Sequence, residues 1–153
     1  MWSVKNSIGK LIEAQLVPLL APNEMSEFVT AVAETVVLAG RPIVGITDMS
    51  RVRVFAPADA ELLIDVMRRD NPLVERAAII VNGDALLGMQ IERLVREAKS
   101  PSRRVFCFAA QAANWVAECL EPEEAERARR FASGLCCLSR APKGKARPSI
   151  NPA

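Results

Sequence analysis

Three short apolar runs constrain this chain more than any other feature. They are Pro42–Thr47 (PIVGIT), Arg76–Val81 (RAAIIV) and Arg104–Phe108 (RVFCF), each closed by polar or small turn residues and followed by an amphipathic stretch. A brief uninterrupted apolar run is the pattern of a strand covered on both faces. Helical stretches between such strands force crossover connections, because two neighbouring parallel strands cannot be joined by a tight turn. The expected fold is α/β, with a mixed, largely parallel central sheet covered by helices.

The remaining segments extend that frame. Trp2–Lys5 reads as a strand, Asn6–Gly9 as a turn, and Lys10–Leu19 as a second strand of an edge hairpin. In the second strand Ile12, Ala14 and Leu16 form the more apolar side, against Leu11, Glu13, Gln15 and Val17. A helix opens after Pro22-Asn23, with Glu24 and Glu27 in its first turn and Gly40 at its end. Residues 50–56 alternate, which predicts a little extended structure with Arg51 and Arg53 opposite Val52 and Val54. Pro57 suits the first position of the next helix, whose stripe is Leu62, Leu63, Val66 and Met67; Asn71-Pro72 stops it. Ala85–Ala98 is amphipathic through Leu87, Ile91, Leu94 and Val95. Ala109–Leu120 follows the third run, with Trp115 and Val116 on its inner side. A last helix, from Glu123 to about Leu138 with Pro122 in its first turn, carries Ala125, Ala128, Phe131, Ala132 and Leu135 on one side. One domain over 1–139 results, with an extra C-terminal helix and a basic tail over 140–153.

Composition narrows the chemistry. The 153 residues contain no histidine, which removes Ser-His-Asp and Cys-His catalysis, His-ligated metals and the usual neutral-pH proton shuttle. Cys107, Cys119, Cys136 and Cys137 match neither a CxxC pair nor a zinc spacing, and read as reduced thiols. No cofactor is expected, since neither a GxxxxGK(S/T) nor a GxGxxG segment occurs. The net charge is +2, and setting aside the four basic groups of the tail leaves the body at −2. A nucleic-acid partner is not expected from such a body with few aromatics. No run of 18 uncharged apolar residues exists to span a membrane. The start, MWSVKNSIGKLIEAQL, lacks a signal-peptide pattern, so the expected location is cytoplasmic.

The segment Asp48-Met49-Ser50 after an apolar strand, then Val52, Val54, Phe55 and Pro57 at a helix start, resembles the anti-sigma-factor antagonist (STAS) superfamily and its SpoIIAA-like relatives. The hairpin and the βα alternation add to the resemblance, which covers roughly residues 2 to 120. It implies a non-enzymatic regulatory or scaffolding domain in bacterial signalling that binds a protein partner. Family antagonists carry an Asp-Ser-Ser-Gly-like segment with a phosphorylatable serine at that helix start. Here Ala56-Pro57-Ala58-Asp59 stands instead, so the phosphoswitch is absent at that position.

Candidate interaction residues fall in two groups. Asp48, Ser50, Arg51 and Arg53 lie where a central strand ends; Asp48 there also suits turn capping, and the arginines suit a phosphate or carboxylate. Phe131, Leu135, Cys136 and Leu138 put apolar character on more than one side of the final helix, which a protein partner or a second copy in a homodimer would cover. The alternative function is a small-molecule domain, for a lipid or nucleotide, with a pocket near the C-terminal ends of the central strands. Glutamates 121, 123, 124 and 126 are accounted for by the helix dipole and solvation.

Overall fold

A computed structural model describes residues 1–18 and 21–139, with side chains through Leu135. Five strands form one sheet: β1 (Trp2–Ile8), β2 (Leu11–Leu16), β3 (Ile43–Asp48), β4 (Val74–Ile80) and β5 (Arg103–Phe106). Their spatial order is their order in sequence, with β1 antiparallel to β2 and all other pairs parallel. The helices are α1 (Glu24–Leu38), α2 (Pro57–Asp70), α3 (Ala85–Glu97), α4 (Ala109–Ala117) and α5 (Pro122–Ser139). The fold is α/β, with a mixed, mostly parallel sheet, an N-terminal hairpin and helices on both faces.

Strand alternation assigns the two faces. Ala14, Leu16 and Ile79 point to the first, where they pack against Phe28 of α1, Leu63 of α2, and Leu87, Ile91 and Leu94 of α3. Leu11, Val44, Ile46, Ala78, Ile80 and Phe106 point to the second, against Ala112, Ala113 and Val116 of α4 and Ala128 and Ala132 of α5. Small residues on both final helices let that pair approach the sheet closely. Each fully buried Val, Leu or Ile here contributes about 1.5–3 kcal/mol by leaving water.

Several boundaries depart from expectation for physical reasons. β1 continues to Ile8 across an irregularity between Lys5 and Ile8, so the tight turn is Gly9-Lys10, with Gly9 at φ +54°. Residues 50–56 form no strand, since no neighbouring strand offers them a ladder; Val52 and Phe55 are buried, while Val54 is exposed beside Arg53. Cys107 lies just beyond β5 and is exposed, not an apolar strand residue. Asn71–Leu73 makes a 3-10 turn rather than a simple stop. Trp2 packs edge-on against Phe28, with ring centres 6.3 Å apart, and Trp115 lies 5.5 Å from Phe106, so both act as packing residues. Among the described residues no helix is long and apolar enough to cross a membrane.

Candidate functional site at the C-terminal edge of the sheet

Open α/β sheets usually place ligands where strand order reverses. Here the parallel strands advance in one direction, so no such crevice separates them. A cleft arises by another route: after β5 the chain passes from the first face to the second. The ends of β3 and β4, the residues after β5 and the start of α4 then enclose a cleft of about 370 Å³. Asp48, Ser50, Arg51, Asn82, Cys107 and Phe108 line it, and Leu135 of α5 also reaches it.

Asp48 is only 1% exposed, and both its oxygens are engaged by the fold. Oδ2 accepts from Gln15 Nε2 at 3.0 Å, and Oδ1 accepts the Ser50 backbone N–H at 2.9 Å. The second bond closes an Asx-type turn, the capping role open to an aspartate at a strand end. Asn82 Nδ2 donates to the Ser50 carbonyl at 2.7 Å, while its Oδ1 accepts the Asp84 N–H at 2.7 Å. Acid and amide therefore tie β2, β3 and the β4–α3 turn together. The Ser50 hydroxyl, the exposed Arg51 guanidinium and the exposed Cys107 thiol have no hydrogen-bond partner among the described residues. Such a set can hold a ligand, but it has no base dedicated to activating a nucleophile.

The loop leaving this cleft is fixed by a side chain. Gln90 on α3 accepts the Phe55 N–H at 2.7 Å and donates to the Phe55 carbonyl at 2.8 Å, as a strand neighbour would. That pairing anchors the loop that carries the exposed Val54 to α3. Leu86 and Met89 there are 67% and 68% exposed, three residues apart and so on one helix face. Arg51 and Arg53 are exposed on the same loop.

Other sequence candidates fall elsewhere. Phe131 and Leu135 are half-buried against the core of the second face, and the side chains of Cys136 and Leu138 lie outside the described residues. Arg103 sits at the opposite sheet edge, where its Nη1 donates to the Met67 carbonyl and Ser100 Oγ. Burial pushes its pKa down to about 10, against the opposing pull of Asp70. No group of three metal-ligating side chains occurs among the described residues.

Three acids are buried against the sequence reading, which gave Glu124 to the helix dipole and solvation and gave Glu13 and Asp70 no role. Glu13, 4% exposed, receives Arg127 through both Nε and Nη2 and also the Ser7 hydroxyl. Glu124 accepts two backbone N–H groups, and Asp70 is the buried last residue of α2, with Arg103 nearby. A lone acid in the middle of an otherwise largely apolar strand was the available signal for Glu13. The Glu-Pro-Glu-Glu start of α5, which sets a glutamate three residues after Glu121 where it can accept that residue's N–H, was the signal for Glu124. Comparison with family models, curated proteins and solved structures returns no match to this chain.

Proposed function

We propose that this chain is a STAS-like regulatory or scaffolding module that works by protein contact rather than turnover. Its docking edge is the Met49–Ala56 loop together with the first turns of α3. The carrying observation is the exposed apolar residues Val54, on a loop pinned by Gln90 and Asp48, and Leu86 and Met89, at the start of α3. Rigid, exposed apolar groups with free arginines beside them suit a preorganised protein contact. The hairpin, the in-order βα units and the Asp48-Met49-Ser50 segment support the STAS likeness. A homodimer through α5 has less support, because Phe131 and Leu135 already pack against the chain's own sheet.

The test compares the full chain with a Leu86→Glu/Met89→Glu variant of equal thermal midpoint. Cellular proteins captured by each are identified, and the recovered partner is then titrated against both. The expected result is a partner bound by the wild type and weakened at least tenfold in the variant. Equal capture and equal affinity reject the proposed edge. Light scattering of both proteins shows whether a second copy is that partner.

A second reading is favoured by the cleft itself: a lipid headgroup or nucleotide phosphate held by Arg51 and the Ser50 hydroxyl. Saturable thermal stabilisation by such a ligand, lost in Arg51→Ala, would support it over the protein-contact reading.

A further inference from the structure

Charge is divided unevenly along the chain. From Arg127 to Ala153 there are seven basic residues and no acid, whereas the residues before Arg127 hold thirteen basic groups against eighteen acids and carry −5. The division has a direction in the fold. The acids that open α5 lie where Glu124 holds Lys10, at the start of β2. Leu135, towards the other end of that helix, lines the C-terminal cleft with Cys107 and Phe108. Residues 140–153, with Arg140, Lys143, Lys145 and Arg147, therefore follow a helix that runs to the C-terminal edge of the sheet.

The same edge carries a bare apolar group. Phe108 is 65% exposed and immediately precedes α4, which has no charged residue of its own. The exposed Ala110 and Asn114 of α4 share a shallow groove of about 200 Å³ with Arg129 and Ser133 of α5. Of the three arginines on α5, Arg127 is tied to Glu13 and Arg130 to Glu126. Arg129 is exposed and has no ion pair among the described residues. The layer thus offers one aromatic ring, small polar side chains and uncompensated cations. A protein interface needs a buried apolar core, which a lone ring among small side chains does not supply. Single-stranded nucleic acid is held by successive stacked aromatics, and only one ring stands here. A bilayer interface takes a single ring at its headgroup level and attracts cations spread over a plane. One weak anchor gives marginal binding, and a polybasic segment is the second signal that makes it stable.

We propose that the C-terminal rim of the α4–α5 layer is a peripheral docking face for an anionic membrane. Phe108 enters the interface, and Arg129 with the basic residues of 140–153 supplies the attraction to the lipid phosphates. The face is distinct from the Val54, Leu86 and Met89 edge, which belongs to the β3–α2 loop and α3. It stands or falls independently of that reading.

Cosedimentation of the full chain with vesicles at physiological ionic strength tests it. Vesicles of two parts phosphatidylcholine to one part phosphatidylglycerol should bind the protein at least tenfold more tightly than phosphatidylcholine alone. Phosphatidylserine in place of phosphatidylglycerol should change nothing, because charge and not headgroup shape is read. Each cation near such a surface is worth about fivefold in partitioning, so Lys143→Gln/Lys145→Gln should weaken binding about twenty-fivefold. Phe108→Ser, at an exposed position, should weaken it at least fivefold without moving the thermal midpoint. Phe108→Trp should gain a blue-shifted emission component on anionic vesicles that the wild type lacks. Equal binding to neutral vesicles overturns the proposal, as does unaltered affinity in the lysine variant or in Phe108→Ser. An emission unmoved by vesicles in Phe108→Trp overturns the insertion of the ring. Tighter binding to duplex DNA than to the vesicles would reassign the cations to a nucleic acid. Binding lost in Arg51→Ala but kept in the lysine variant would place the lipid in the cleft instead.

Discussion

Glu124 Oε2 accepts the backbone N–H of Lys10 at 2.7 Å, a bond spanning 114 positions of sequence. The other oxygen accepts the Glu121 N–H at 2.9 Å, so one carboxylate caps α5 and holds the β1–β2 turn. A Cβ on the neighbouring Gly9 would lie 2.0 Å from Oε2. The carboxylate cannot retreat without breaking both bonds. Gly9→Ala also forces alanine to φ +54°, and should cost about 2–4 kcal/mol. Glu124→Ala should cost about 1–3 kcal/mol. In a double-mutant cycle the two should be less than additive, because the clash vanishes with the carboxylate. Urea unfolding of the four proteins measures the coupling, and strict additivity would count against the contact.

Arg127→Ala strands the buried Glu13 carboxylate. The Arg127 side chain is 41% exposed, so water partly replaces it and the expected loss is about 1–2 kcal/mol. Replacing both residues by leucine should be milder than Arg127→Ala alone, since no buried charge then lacks a partner. Denaturant midpoints decide, and a double variant less stable than the single one contradicts this account.

Asp70 predicts a pH dependence. Desolvation raises its folded pKa above the ordinary 3.8, against the lowering pull of Arg69 and Arg103. The folded state therefore holds this proton to higher pH than the unfolded chain does. Its contribution is fully favourable below about pH 3.8 and is lost as pH rises through the folded value. Asp70→Asn should match the wild type in that acid limit, apart from a constant offset, and gain relative stability above it. Thermal midpoints of both proteins from pH 3 to 7, about the range a carboxylate titrates, provide the comparison. A difference independent of pH would remove Asp70 as the cause.

Lys99 stands at φ +52°, immediately after the α3 C-cap Ala98. The Ser100 N–H bonds the Val95 carbonyl at 3.1 Å and the Lys99 N–H bonds that of Arg96 at 3.0 Å, a Schellman ending that favours glycine. Lys99→Gly should stabilise the protein by about 0.5–1 kcal/mol, the left-handed strain outweighing the added chain entropy. A lowered melting temperature would refute this.

Element order was legible in the sequence because strand and helix periods differ and Pro57, Gly40 and Asn71-Pro72 punctuate them. The face of β2 that holds Ile12, Ala14 and Leu16 was legible too. Pairing was not. Arg51–Ala56 alternates like a strand, yet an extended segment needs a neighbour, and Gln90 supplies two hydrogen bonds in place of one. At the candidate cleft Asp48 and Ser50 could be placed from the strand end, and turn capping was the role foreseen for the acid. Its second donor, Gln15, comes from a strand 33 positions earlier that no local pattern links to it. Asp70 and Arg103 likewise meet only after β4 and β5 have joined the sheet.

The two clasps between the N-terminal hairpin and α5 also have a kinetic meaning. Glu13–Arg127 and Lys10–Glu124 each close a loop of 114 positions, whereas neighbouring parallel strands are linked through one α-helix each. A nascent chain can assemble its first-face layer progressively as each βα unit emerges. Throughout that time the apolar second-face residues Leu11, Val44 and Ile46 have no cover. Only when the last helical pair is synthesised can that surface be sealed and its earliest strand locked. The vulnerable moment of biogenesis is therefore late, and a chaperone guarding this protein would hold the bare side of a nearly finished sheet.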